Sequence, residues 1–569
     1  MSGKDSKGKG KPKKGSRQQQ QQDAARRHGV PPAGARDQQA VPGQAGRAVR
    51  GPALPGGPPR QDAEPAPQAA RPARVSCYAD VAAVRIQDWL ARTPGLIFRR
   101  GASALLSKAT DPEEWKGHLP PGVRWNDEAG HVDGVVSLVA DDSAAGADAP
   151  TVLQDAARHV AQRMRDLIPH CPVQGVAGTG TSYAEAYAGM ANARREGDFL
   201  LDWPSAPPET LLAKPCDQCR QAAATVPGVK VTRDDALCAE CDARLKAAGR
   251  TTANETMAPA PERRLRRALE AADMPVTGFS DNFAEMAAAG RRDRDDTPSQ
   301  VALIYADGNR VGAFLSRAAA AARGPKKSEI APILEKAALD ALANAVMNRF
   351  PGWEEPPVLP HLAGGDDLLV SVPAIDAWLF VVTLVSEFGR QVAQATSGWP
   401  EAIREHPPSL SAGLVFHHKT APFFDVMRLA DEQLLAAKNA TAGRAATVAF
   451  LDLTADGSQP PPGREPMTLR YLQDNADRFG RTADLPDSRR ATLLDLARRE
   501  AWEEFTARLT DLPNDPLWEF AAGRGATAGD VRKALHVNGQ KLAEVRRALD
   551  VARHWHAEPR QPGPSGGER

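Results

Sequence analysis

No stretch of this sequence approaches the roughly 18 consecutive apolar residues of a membrane helix, and no apolar segment follows the lysines of its amino terminus. Neither a membrane anchor nor a secretory signal is therefore expected, and the protein reads as cytoplasmic, without a membrane partner. Cysteine is scarce, with 6 in 569 residues, which excludes a disulfide framework as the source of stability. Net charge is also small, at +1. The balance is uneven, because residues 1–72 hold fourteen Lys and Arg against five Asp and Glu, and the remainder is acidic by a similar margin. That segment combines lysines and glutamines with Pro, Gly and Ala, and lacks the apolar surface that would offset its ordering entropy. It reads as a disordered basic tail. Such a tail serves equally as a polyelectrolyte arm for nucleic acid and as a solubilising segment with no defined partner.

What remains is rich enough to fold, since 42% of the chain is hydrophobic and its length calls for several domains. From Val75 strand and helix patterns alternate in an α+β order. Strands are expected near Val75–Ala79, Gly134–Ala140 and Val173–Ala177, with helices at Thr151–Ile168 and from Tyr183 onward. This is compatible with a first ferredoxin-like domain over residues 73–210. Asp141 and Asp142 there read as a loop. Gly178 and Gly180 are expected in a turn ahead of the next helix.

Four of the six cysteines form two close pairs, Cys216-x-x-Cys219 and Cys238-x-x-Cys241, separated by eighteen residues. Each knuckle presents two thiolates to one tetrahedral Zn²⁺, and four sulfurs leave that ion no open position. We expect a structural zinc module over residues 211–250. Cys77 and Cys171 read as ordinary thiols. Residues 251–299 follow as a helical linker, and residues 300–455 as a second ferredoxin-like domain with β-α-β-β-α-β order and one extra helix. Residues 464–557 read as a carboxy-terminal helical bundle, and residues 558–569 as a disordered tail.

The chemistry concentrates in the second of these domains. His361-Leu-Ala-Gly364-Gly365-Asp366-Asp367-Leu-Leu-Val reads as a hairpin with two carboxylates at its tip. Upstream, the strand Val301-Ala-Leu-Ile-Tyr305-Ala306 ends in Asp307-Gly308-Asn309. Neighbouring strands would bring Asp307 to Asp366 and Asp367, an oxygen-ligand set for a hard cation such as Mg²⁺ or Mn²⁺. Glycines 308, 364 and 365 allow a nucleotide close to the backbone. Lys438, near a helix end, reads equally as a triphosphate clamp and as a lysine satisfying the helix dipole. His418 and Lys419, with His417, read as nucleobase or phosphate contacts or as loop packing.

These motifs, with Ser411-Ala-Gly-Leu-Val-Phe-His-His-Lys419 and Leu434-Leu-Ala-Ala-Lys438, resemble the catalytic palm of the large subunit of type III CRISPR effector complexes, the CRISPR polymerase family. The resemblance implies two palm domains, the first lacking metal carboxylates, with a zinc module between them. It also implies a last domain that contacts neighbouring subunits. The implied activity is Mg²⁺-dependent joining of ATP into cyclic oligoadenylate, in a complex with other effector subunits, guide RNA and target RNA. Asn309 departs from many relatives, which carry a second acid there. The sequence also contains no His-Asp dipeptide, the basis of the nuclease domain in many relatives, so DNA cleavage is not expected. Two other functions fit the residues less closely: a scaffold that binds nucleotide without turnover, and a cyclic-dinucleotide synthase of the GGDEF kind. Against the latter, Asp-Asp-Leu stands where that family has Glu-Phe.

Overall fold

The computed structural model describes residues 75–559 apart from 94, 131–133, 142–147, 203–213, 231–233, 249–259, 281, 291–298, 322–324, 326, 462, 514 and 538. The expected basic tail, Asp142, about a third of the 251–299 linker and nearly all of the 558–569 tail lie outside the described residues.

The amino-terminal part is built on β1 (Ser76–Ala83), α1 (Ile86–Ala91), α2 (Leu96–Ala109), β2 (Val123–Trp125), β3 (Val135–Ala140), α3 (Ala149–Leu167), β4 (Val173–Gly180), α4 (Tyr183–Glu196) and β5 (Leu200–Asp202). The strands form one antiparallel sheet in the order β2-β3-β1-β4-β5. Helix α3 forms because Leu153, Ala156, Ala157, Val160, Ala161 and Met164 recur at helical spacing and are all buried. One expectation is corrected here: Gly178 and Gly180 belong to β4 and not to a turn. They are small because α4 crosses them closely, and a Cβ at Gly178 would sit 2.7 Å from the Ala186 carbonyl oxygen.

Beyond this sheet come a hairpin, β6 (Val226–Lys230) and β7 (Asp234–Leu237), then α5 (Ala239–Ala248), α6 (Ala260–Ala271) and α7 (Phe283–Ala289). Helix α5 docks on α2 at Gly101, where any side chain would collide with the Arg244 carbonyl. A buried ion pair marks the same contact. Arg244 donates to Glu240 at 2.5 Å, to the Trp89 carbonyl at 2.7 Å and to Thr93 Oγ1 at 3.2 Å. The two charges are thereby paired out of solvent.

The second sheet contains β8 (Gln300–Asn309), β9 (Leu359–Gly364), β10 (Asp367–Pro373), β11 (Ser409–His418), β12 (Thr447–Asp452) and β13 (Met467–Thr468). Their order is β13-β12-β11-β8-β10-β9. Only the β11–β12 pair is parallel, as its crossover through a helix requires. That helix is α11 (Phe423–Thr441); α8 (Val311–Ala320), α9 (Lys327–Arg349) and α10 (Ala377–Ala395) complete the layer structure. β8 is buried on both faces. Ala302, Ile304 and Ala306 join the core that includes Phe314, Leu342 and Phe388, while Leu303 and Tyr305 join Val426, Ala430 and Leu434 of α11.

Seven helices from Leu469–Asp474 to Gly539–Ala552 follow among the described residues. His554 fixes them to the second sheet, because its Nε2 lies 3.0 Å from Asp452 Oδ2 and its ring stacks on Phe416 at 4.0 Å. Burial pushes the Asp452 carboxyl up, but His554 and Arg553 outweigh it and hold the group well below the usual carboxylate range. Arg464 ties the same region together by pairing with Asp456 and, at 2.6 Å, with Asp550. Among the described residues, no helix is long and apolar enough to cross a membrane.

Candidate active site

Strand pairing assembles the acids. The register that pairs Leu368 with Ala306 sets Asp367 opposite Asp307, and the hairpin between β9 and β10 closes with Gly364 paired to Asp367. Gly365 occupies the first turn position at φ 63°, the sign that a tight two-residue hairpin requires there and that glycine takes without strain. Asp366 turns back toward β8, where its Oδ2 fills the space a Cβ at Gly308 would need. Gly308 is thus required by close approach.

The Asp307 carboxylate lies within hydrogen-bonding reach of Asp366 and Asp367 and opposes their ionisation. Burial, and then the Asp307 charge, push Asp366 up to about 6 and hold Asp367 higher still. Lys438, on α11, relieves part of this: it donates to Asp307 Oδ2 and, at 3.0 Å, to the Gly308 carbonyl. Asp307 Oδ1 accepts from the Gly308 amide at 2.8 Å. Several oxygen donors, half-buried and short of positive charge, match the donor set of a hard divalent cation.

Asn309 differs from the acids. Its side-chain nitrogen donates to Ser409 Oγ at 2.9 Å and Ser411 Oγ at 3.0 Å, while its Oδ1 is buried without a partner. Ser411 opens the motif quoted above and Ser409 precedes it, and both sit opposite the Asp307–Asn309 motif at the start of β11.

His418 and Lys419 are not brought to this site. β11 runs antiparallel to β8, pairing Ser411 with Asp307 but His418 with Gln300. The histidine therefore lies about 23 Å along the sheet from Asp307, at about 3.3 Å per residue. His418 is exposed and its Nδ1 engages Thr420 Oγ1 at 2.7 Å. His417 is buried edge-on to Phe283 at 5.6 Å, and burial pushes its imidazole down to about 4. The packing alternative is the one observed for His417.

Between the two sheets lies a cavity of about 420 Å³. Asp366 and Gly365 form part of its rim, Val311, Leu315 and Leu334 its apolar wall, and Asp80, Tyr183 and Arg194 its polar wall. Asp80 is buried but satisfied, accepting from Ser137 Oγ at 2.7 Å and Tyr183 Oη at 2.8 Å, with Arg194 at 3.9 Å. The sequence held a signal for this acid: Tyr78-Ala79-Asp80 repeats Tyr305-Ala306-Asp307, each in the first strand of its sheet.

The four-cysteine cluster is separate. The sulfurs of Cys216, Cys219, Cys238 and Cys241 are buried and all lie within 4.8 Å of one another, with Cys219 and Cys238 3.8 Å apart. Zn–S bonds of about 2.3 Å in a tetrahedron put sulfurs about 3.8 Å apart, so this set fits zinc.

Residues 300–447 match the family described as Cas10/Cmr2, second palm domain. Solved structures that match the chain include a Csm1-Csm4 cassette in complex with cA4, at 13% identity and TM-score 0.49, covering 84% of this chain and 69% of that one. A second is Csm1 from T. onnurineus, at 13% identity and TM-score 0.45 over 84% and 69%. A third is a Csm1-Csm4 cassette in complex with AMPPNP, at 14% identity and TM-score 0.46 over the same shares. No curated protein matches the chain.

Proposed function

We propose, for a chain that carries a Cas10/Cmr2 second palm domain at residues 300–447 and so belongs with the large subunits of type III CRISPR effector complexes, that it joins ATP into cyclic oligoadenylate in antiviral defence. The observation that carries this reading is the convergence of Asp307, Asp366 and Asp367 with Lys438 at the rim of a cavity large enough for a nucleotide. We assign the four-strand cores β4-β1-β3-β2 and β11-β8-β10-β9 as two ferredoxin-like palms, because both follow the same strand order.

In this reading the three aspartates hold Mg²⁺ or Mn²⁺. Such ions lower the pKa of an attacking 3′-hydroxyl and neutralise the leaving pyrophosphate. The remaining work falls to the chain's own groups. The first amides of α8, which follow the Asp307–Asn309 motif, would face a phosphate favourably. Lys438, which donates to Asp307 and to the Gly308 carbonyl, would be the cation placed to meet phosphate beside a metal held by the aspartates. The apolar wall of the cavity covers the base and excludes water. His418 and Lys419 have no part here. The four-cysteine site holds structural Zn²⁺, and with no His-Asp pair in the sequence we assign no DNA cleavage. Guide and target RNA act through neighbouring subunits.

A second reading is a nucleotide-binding scaffold without turnover, and Asn309 is the observation that favours it, since an amide spent on two serines adds no charge to the metal site. Incubating the protein with Mg²⁺ and each labelled nucleoside triphosphate, with and without target-loaded complex, separates the two. ATP-specific oligomers support the enzyme. Binding without product in every arm supports the scaffold.

A further inference from the structure

The cavity of about 420 Å³ beside Asp366 draws most of its polar side chains from the first sheet and its layer. Most of these groups are spent on one another. Ser137 and Tyr183 donate their hydroxyls to Asp80 at 2.7 and 2.8 Å, and Arg194 faces the same carboxylate at 3.9 Å. Tyr187 lies against the Tyr183 ring at 5.9 Å. Gln174 differs from them: it lines the cavity half-buried, and among the described residues its carboxamide has no hydrogen-bond partner.

Strand register fixes where that carboxamide stands. Gln174 of β4 pairs with Ala82 of β1, and residues directly opposite in an antiparallel pair share a face. Asp80 is on the same face, two residues along β1, so Gln174 is its diagonal neighbour at about 7–8 Å. Ala82 pairs on its other side with Val135, and these two side chains form an apolar floor beside Gln174. Val311 and Leu315 of α8 line the second sheet's side of the cavity, with Asp366 at the rim.

A carboxamide presents an acceptor and a donor side by side, the pattern that pairs bidentately with the amine and a neighbouring ring nitrogen of adenine. We infer that Gln174 reads the base of a nucleotide in this cavity: Oε1 accepts from the N6 amine and Nε2 donates to the adjacent ring nitrogen. The ring then lies between the Ala82–Val135 floor and the α8 wall, with the phosphates on the Asp366 side. This inference rests on the cavity being the nucleotide site of the reading above, and adds to it the residue that holds adenine.

The test is equilibrium binding, to the full chain in Mg²⁺, of the 3′-deoxy forms of ATP and of purine riboside triphosphate. Neither carries the attacking hydroxyl, and the second lacks the N6 amine. The parent should prefer the ATP form by about tenfold or more, the range of one bidentate base contact. Gln174→Leu, which removes both polar groups at similar size, should bring that ratio close to one. A Gln174 that only supports β4 would move the melting temperature and leave the ratio alone. Equal binding of the two triphosphates by the parent, or a folded Gln174→Leu protein with the parent's ratio, would overturn the inference. Turnover of ATP on the same preparations is read separately. Absent turnover with the parent's preference intact would reject the enzyme reading and leave the base contact standing.

Discussion

Gln87 Nε2 donates to the hydroxyl of Tyr305 at 2.7 Å, and this bond joins the amino-terminal layer to β8 two residues from Asp307. Burial, and then the Asp367 charge, keep the phenol well above its ordinary pKa, so it is a neutral hydroxyl. Tyr305→Phe removes the link and leaves the amide of Gln87 unmatched. We expect a stability loss of about 1–3 kcal/mol and a several-fold fall in ATP turnover. Denaturant titration beside a turnover assay checks it, and an unchanged pair of values would mean that the joint does not position the acids.

The crowded acids predict an unusual pH response. A carboxyl whose folded pKa is raised contributes stability when protonated and loses it as pH rises through the folded value. Asp366, pushed up to about 6 by burial and Asp307, should therefore make metal-free protein melt higher near pH 5 than near pH 7. Saturating Mg²⁺ should remove or invert that difference. In Asp366→Asn the metal-free slope should flatten. Melting curves across this range with EDTA or Mg²⁺ provide the measurement.

Lys438 is the cation that Asp307 holds. Lys438→Gln should lower the melting temperature of metal-free protein more than that of the Mg²⁺-loaded protein, since the ion takes over the neutralising role. It should also raise KM for ATP at least tenfold. A lysine that only satisfies its helix end would move neither the metal dependence nor KM.

The four-cysteine cluster separates folding from chemistry. Cys216 is fully buried, and its knuckle packs beside Phe98 of α2, so Cys216→Ser should lose zinc and unfold the module. Folded protein that remains should keep its nucleotide affinity. Metal analysis and calorimetry check this, and a zinc-free variant as stable as the parent would refute the structural role.

The parts of the site that were legible from sequence share one property, a local pattern with a single geometric outcome. An apolar strand ending in Asp307 and a Gly-Gly hairpin ending in Asp366 and Asp367 meet in the sheet because such strands pair as neighbours. The paired knuckles of the cysteine cluster are equally local. His418 and Lys419 were misplaced because proximity in a motif list is not proximity in a sheet: an antiparallel β11 carries its end away from Asp307. The cavity wall of Asp80, Tyr183 and Arg194 was missed for another reason. It depends on how two layers dock, which no periodicity encodes, although the repeated Tyr-Ala-Asp was there to be read.

The central claim is that Asp307, Asp366 and Asp367 are a catalytic metal set and not a structural turn. The most direct measurement is ATP conversion and melting temperature on the parent, Asp307→Ala and the double variant Asp366→Ala/Asp367→Ala, each with and without Mg²⁺. The account predicts that both variants lose Mg²⁺-dependent conversion and Mg²⁺-induced stabilisation, while without metal the double variant melts at or above the parent, since like charges have been removed. Unchanged conversion in the double variant, or a parent that Mg²⁺ does not stabilise, would contradict it.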